Sequence, residues 1–147
     1  MTPSKPARVS DPEVIRRVLT TPGTWAVVGL STDASRTAYG VARWMRDALG
    51  HRIIPVHPRA PVVWDEQGYA SLTQIPGGTV VTVVDCFVNS HRVGGVVDEA
   101  IVKKDRLGIE AIWLQLGVID EDAAQRAINA DLDVVMDTCP MIEYPRL

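Results

Sequence analysis

The stretch VVGLSTDASRTAYGVARWM, residues 27–45, joins a β-branched run to a helical pattern through a loop of serine, threonine and aspartate. Val27 and Val28 lead into Gly29, and the next glycine is Gly40. A strand that turns at a glycine into a helix resembles the opening of a nucleotide-binding unit. A dinucleotide fold writes this turn as G-x-G-x-x-G, whose later glycines let the pyrophosphate and the helix come close. Here Leu30 and Ser31 follow Gly29, and Ser31 and Arg36 are expected to fill that space. The loop therefore favours a ligand draped more loosely than a dinucleotide.

The flanking sequence continues the alternation. Ser10-Asp11-Pro12-Glu13 marks a helix start: a side-chain oxygen for orphan amides, a proline tolerated in the first turn, and an acid at the positive end of the dipole. Val14, Ile15, Val18 and Leu19 form one apolar stripe, and Thr21-Pro22-Gly23 ends it. Strands are expected at 25–30, 52–56, 80–87, 111–116 and 132–136, with helices at 38–49, 93–104 and 120–130. Pro55 and Pro58 are expected to close the second strand, and Gly50 to stop the helix before it. Residues 59–79 break the rhythm with Pro61, Pro76 and Gly77-Gly78, leaving a short strand at 62–64 and a helical turn near 71–74. Near-continuous apolar strands alternating with helices give an α/β fold: a doubly wound, mainly parallel, Rossmann-like sheet of five or six strands with helices on both faces. Residues 1–9 are expected to form a flexible N-terminal arm and residues 10–147 a single domain.

Composition narrows the function classes. The chain has 147 residues, 46% of them hydrophobic and 22% charged, with a net charge of -3. No basic block exists to neutralise phosphates, which argues against nucleic acid. No apolar run approaches the roughly 20 residues of a membrane span, and the N-terminus lacks the apolar core of a signal peptide. Two cysteines, Cys86 and Cys139, fit neither a disulfide framework nor a zinc spacing, so a reducing cytoplasm is the default compartment. No metal site is expected. The oligomeric state stays open, with the N-terminal helix available to a second copy and a partner enzyme the other interaction considered.

In a doubly wound sheet, ligands bind beyond the carboxyl ends of the strands, where the winding reverses. That rule selects the loops at 29–39, 56–59, 87–91 and 115–118. The first offers backbone amides, hydroxyls and Arg36 at a helix N-terminus, an anion site by geometry and dipole. The second reads Val56-His57-Pro58-Arg59, where an NAD site would place an acid for the ribose 2′-hydroxyl. A basic loop there suits a ribose phosphate instead, as carried by NADP or coenzyme A.

VVGLS (27–31), PVHP (55–58), VVDCF (83–87), WLQLG (113–117) and Cys139-Pro140 together resemble the small bacterial CoA-binding protein family. Its single domain is similar to the CoA-binding Rossmann domain of the succinyl-CoA synthetase alpha subunit. The resemblance runs from about Trp25 to Tyr144. It implies that Gly29, Leu30 and Ser31 line the first loop against the nucleotide, with Arg36 and Tyr39 as a basic and aromatic pair behind it. It assigns Val56, His57 and Arg59 to the second loop, with Arg59 suited to the 3′-phosphate of coenzyme A. Phe87 would face the adenine and pantetheine, and Gln115 and Gly117 would border the same crevice. Two positions depart from the family: His57 stands where Asn is common, and Val88 where Arg is common.

The function expected is binding of coenzyme A or an acyl-CoA at the carboxyl edge of the sheet, as a non-catalytic or regulatory module. The alternatives are a thiol or acyl-exchange enzyme using Cys139, an NADP-binding regulatory domain, and a partner-binding domain without a ligand. A reactive Cys139 would need a base or cation to lower its pKa. Asp85 stands out in an apolar strand, because a buried carboxylate needs a partner. Trp64 is a further candidate to cover a base.

Overall fold

The computed structural model describes residues 8–147. Of the expected N-terminal arm, residues 1–7 lie outside the described residues, whereas Val9 packs against the core and the Ser10 amide donates to the Val134 carbonyl at 2.8 Å.

Five strands form one parallel sheet: β1 (Thr24–Val28), β2 (Arg52–Val56), β5 (Val83–Cys86), β6 (Ala111–Leu114) and β7 (Asp133–Val135). Their order is β2-β1-β5-β6-β7. The chain winds outward from β1 to one edge, then returns past β1 and winds to the other, so the reversal lies between β1 and β5. A separate antiparallel hairpin, β3 (Val62–Val63) and β4 (Glu66–Gln67), follows β2.

The strands alternate between two apolar layers. Trp25, Val27, Trp113 and Val135 face α1 (Pro12–Thr20) and α2 (Thr37–Leu49). Ala26, Val28, Val84 and Ile112 face α3 (Ser90–Leu107) and α4 (Glu121–Asn129). Every residue of β5 and β6 is buried, as a strand covered on both faces requires.

Three helices begin as their sequences dictate. The Asp11, Asn89 and Asp120 side chains accept amides of α1, α3 and α4 at 2.9, 3.0 and 3.0 Å. The helix α2 starts at Arg36 with no side-chain cap and stops at Gly50, whose φ of 73° is the left-handed C-terminal stop.

Several boundaries differ from expectation. The apolar run 80–87 supplies only four sheet residues, because the Val81 amide turns to the Leu107 carbonyl at 2.8 Å. Pro55 does not close β2 but sits inside it, opposite Val27, which is tolerated because β2 is an edge strand. A short helix α5 (Pro140–Glu143) follows β7 where no periodicity announces it.

Gly29 sits at the end of β1 with a φ of 102°, and a Cβ placed there would lie 2.5 Å from the Phe87 carbonyl oxygen. Both the torsion and the close approach demand glycine. Gly29→Ala is therefore expected to lower unfolding free energy by at least about 2 kcal/mol. Urea denaturation would register this as a lower midpoint with an unchanged slope.

Candidate functional site

The carboxyl ends of β1 and β5 part at the winding reversal and leave a crevice. Its deep part is a cavity of about 560 Å³, walled by Gly29, Arg36, Ala38, Phe87, Gln115 and Cys139, among others. On the far side of the first loop lies a shallower cavity of about 400 Å³, bounded by Ser31, Asp33, Arg36, His57 and Arg59. Arg36 borders both. The two spaces therefore flank the N-terminus of α2, where the first amides have no side-chain cap.

Local chemistry shapes the loop. Ser31 Oγ accepts the Asp33 amide at 3.2 Å, and Asp33 accepts the Ser35 hydroxyl at 2.6 Å and amide at 3.0 Å. These Ser35 bonds hold the Asp33 carboxyl below its ordinary range, with Arg36 adding a smaller pull. Across the shallow cavity, His57 Nδ1 accepts the Arg59 amide at 3.2 Å, which fixes the Val56–Arg59 turn.

Of the residues singled out from sequence, Gly29, Arg36, Phe87 and Gln115 meet at the deep cavity, and Ser31, His57 and Arg59 meet at the shallow one. Three side chains lie elsewhere. Leu30 is fully buried in the core beside α2, so it offers the loop only its backbone. Val56 is buried in the opposite layer, and its carbonyl accepts the Gly29 amide at 2.8 Å. Tyr39 turns to the hairpin, packs against Trp64 with ring centroids 5.0 Å apart and planes inclined by 56°, and accepts the Trp64 indole N–H at 3.2 Å. Trp64 walls neither cavity. Gly117 walls neither cavity; its amide donates to Asp137 Oδ1 at 2.8 Å.

Sequence reasoning passed over Ala38, Leu116, Val118 and Ile142 as lining residues, whereas Ser35 and Thr37, which also line the cavity, are among the loop hydroxyls it offered to an anion. Some of these lie within the flagged loops, but a one-dimensional pattern does not say which loop residues turn inward. Cys139 also lines the deep cavity, half-buried at the start of α5. Burial pushes its thiol up, and the amides of Met141 and Ile142 offset only part of that. No histidine lines the deep cavity. His51 is buried between the Leu19 carbonyl and the Gly23 amide, each at 3.2 Å, and burial lowers its pKa.

The core side of the cavity carries one anomaly. Asp85 is fully buried on β5; its Oδ1 accepts Gln115 Nε2 at 2.5 Å, and its Oδ2 has no partner among the described residues. Burial pushes its carboxyl up to about 8, against the downward pull of the Gln115 bond, so the group is mainly neutral at pH 7.

Comparison with known proteins is consistent with this geometry. Residues 23–145 match the family model described as a CoA binding domain. An uncharacterized protein of Bacillus subtilis (strain 168), YneT, is 32% identical over 119 residues, covering 81% of this chain and 83% of its own length. A hypothetical protein from Pyrococcus horikoshii OT3 superposes with a TM-score of 0.82 at 31% identity, over 100% of this chain and 99% of that one. The dinucleotide-forming acetyl-coenzyme A synthetase 1 of Ca. Korarchaeum cryptofilum shares the fold. Its TM-score is 0.66 at 21% identity, over 82% of this chain and 26% of that one.

The raised Asp85 carboxyl links stability to pH. Below its unfolded pKa of about 4 the group is protonated in both states and costs nothing. Between that value and about 8 the unfolded chain releases a proton that the folded chain keeps, so stability falls as pH rises. The stability of Asp85→Asn relative to wild type should therefore grow from pH 4 to pH 8 and level off above it. Chemical denaturation at a series of pH values measures this.

Proposed function

Since the chain belongs to the family of CoA binding domains, we propose that it binds coenzyme A or an acyl-CoA at the carboxyl edge of its sheet, as a module without a reaction of its own. The observation that carries this reading is the pair of cavities meeting at Arg36 above the uncapped start of α2. A single compact nucleotide would occupy one such space. A long ligand with a charged centre and two arms occupies both.

The assignment follows the chemistry of each wall. The pyrophosphate lies at the N-terminus of α2, where the backbone amides and Arg36 offer positive charge. The adenosine 3′-phosphate lies towards His57 and Arg59, the loop that lacks an acid. The pantetheine arm enters the deep cavity past Phe87 and reaches towards Gln115 and Cys139. These residues fit the ligand: the shallow cavity is basic and polar, while the deep one mixes Phe87, Ala38 and Ile142 with a few polar groups.

The non-catalytic part of the reading rests on Cys139. A thiol-exchange or acyl-transfer enzyme needs a thiolate; burial moves this thiol the wrong way, no histidine lines its cavity, and Arg36, which does line it, is not among the groups that shift the thiol.

The test compares thermal shifts with coenzyme A, dephospho-coenzyme A, NADP and NAD. Coenzyme A should raise the melting temperature most, by several degrees at saturating ligand. Arg59→Ala should weaken coenzyme A by up to about 5-fold, as loss of one exposed ion pair of up to about 1 kcal/mol does, and leave dephospho-coenzyme A unchanged. Arg36→Ala should weaken both. A larger shift with NADP than with coenzyme A overturns the ligand, and no shift with any of the four overturns the binding function.

A further inference from the structure

Asp85 is an expensive residue to keep. It lies in the middle layer of the sheet on a strand whose other members, Val83, Val84 and Cys86, are apolar and buried. A polar group buried there costs free energy unless it is satisfied, and an apolar side chain of similar size would not carry that cost. One of its two carboxyl oxygens has no partner among the described residues. The other is bound to a residue that itself walls the deep cavity.

Gln115 is 4% exposed and follows directly on β6, the neighbour of β5. Asp85 pairs in register with Trp113, so Gln115 stands two residues farther along on the same face of the sheet. A primary amide is planar, with its nitrogen and oxygen at opposite corners. With Nε2 engaged inward by Asp85 at 2.5 Å, Oε1 is the corner left for the cavity. Without that bond, the amide can rotate and present either a donor or an acceptor.

We propose that Asp85 is a positioning residue that holds the Gln115 amide with its carbonyl oxygen toward the cavity, making the floor an acceptor for a neutral hydrogen-bond donor on the ligand's arm. This rests on the coenzyme A reading and deepens it. The pantetheine arm carries such donors in its two amide N–H groups, its secondary hydroxyl and its terminal thiol. A neutral acceptor suits each and asks for no charge in a space backed by the core. The floor thus adds discrimination for the arm to the charge recognition that Arg36 and Arg59 supply for the phosphates.

The test measures dissociation constants of the full chain for coenzyme A, acetyl-coenzyme A and adenosine 3′,5′-bisphosphate, which lacks the arm. Gln115→Leu should weaken coenzyme A by about 5-fold, the value of one hydrogen bond of roughly 1 kcal/mol, and leave the bisphosphate unchanged. Asp85→Val, which frees the Gln115 amide, should lose in the same direction. Asp85→Asn, whose carbonyl can still accept from Nε2, should restore most of the affinity. If Asp85→Val does not fold, Gln115→Leu and Asp85→Asn still decide. An equal loss for acetyl-coenzyme A assigns the donor to an amide or the hydroxyl; an unchanged acetyl-coenzyme A affinity assigns it to the thiol. The proposal is overturned if Gln115→Leu leaves coenzyme A affinity intact, or weakens the bisphosphate as much. If wild type binds none of the three ligands, the coenzyme A reading itself fails and takes this one with it.

Discussion

The contact between Gly29 and Phe87 decides where the rest of the crevice can be. β1 and β5 are neighbours whose following helices go to opposite faces of the sheet, so their carboxyl ends must diverge. They do not diverge at once. The Phe87 amide still donates to the Val28 carbonyl at 2.9 Å, and the Gly29 amide to the Val56 carbonyl at 2.8 Å. Both loops thus leave the sheet from hydrogen-bonded positions. Only a residue without a Cβ fits between them, and the chain then turns sharply enough to place Arg36 at the head of α2. The crevice is rigid at its root because ladder hydrogen bonds hold it there.

The same edge of the sheet sets two demands against each other. The strands must be apolar to be buried on both faces, yet a site needs polar groups that point one way. Asp85 and Gln115 meet both demands by bonding to each other within the apolar layer, with Gln115 also walling the cavity. Cys86, next along the strand, faces the opposite layer and stays inert, since burial pushes its thiol well up. Alternation along β5 therefore separates a core position from a site position within two residues.

Elements with strong local signals were legible in the sequence. Arg52–Val56 was read to the residue, and the Asp11 cap placed α1 within one. The run 80–87 misled because apolar β-branched residues look alike whether they pair in a ladder or bridge to a helix end at Leu107. The helix α5, of four residues, is shorter than any helical period can reveal, and the two-residue strand β4 is shorter than any alternation. Within the site, the winding rule found the loops, but direction within each loop was hidden. Leu30 and Val56 were named with their neighbours although both side chains serve the core. Tyr39 was placed behind the loop although its ring had a stronger claim from Trp64, 25 residues away in sequence. Asp85 was visible as a carboxylate that would pair with a neighbouring strand-end amide, but that the amide belongs to Gln115 was not, since only the register of β5 against β6 brings them together.

In the dinucleotide pattern the second glycine approaches the pyrophosphate, and any side chain there obstructs it; Ser31 holds that position here, and Leu30 the one between. Here the chain turns at Gly29 so that Leu30 points into the layer beneath α2 and contributes to the core. The first exposed side chains after the turn are small and polar, and the loop runs six residues, from Ser31 to Arg36, before α2 begins at Thr37. A loop of that length holds its anion site away from the strand end, with Arg36 reaching from its far side. Room for a ligand comes from the path of the backbone, so the missing glycines reflect a different way of making space.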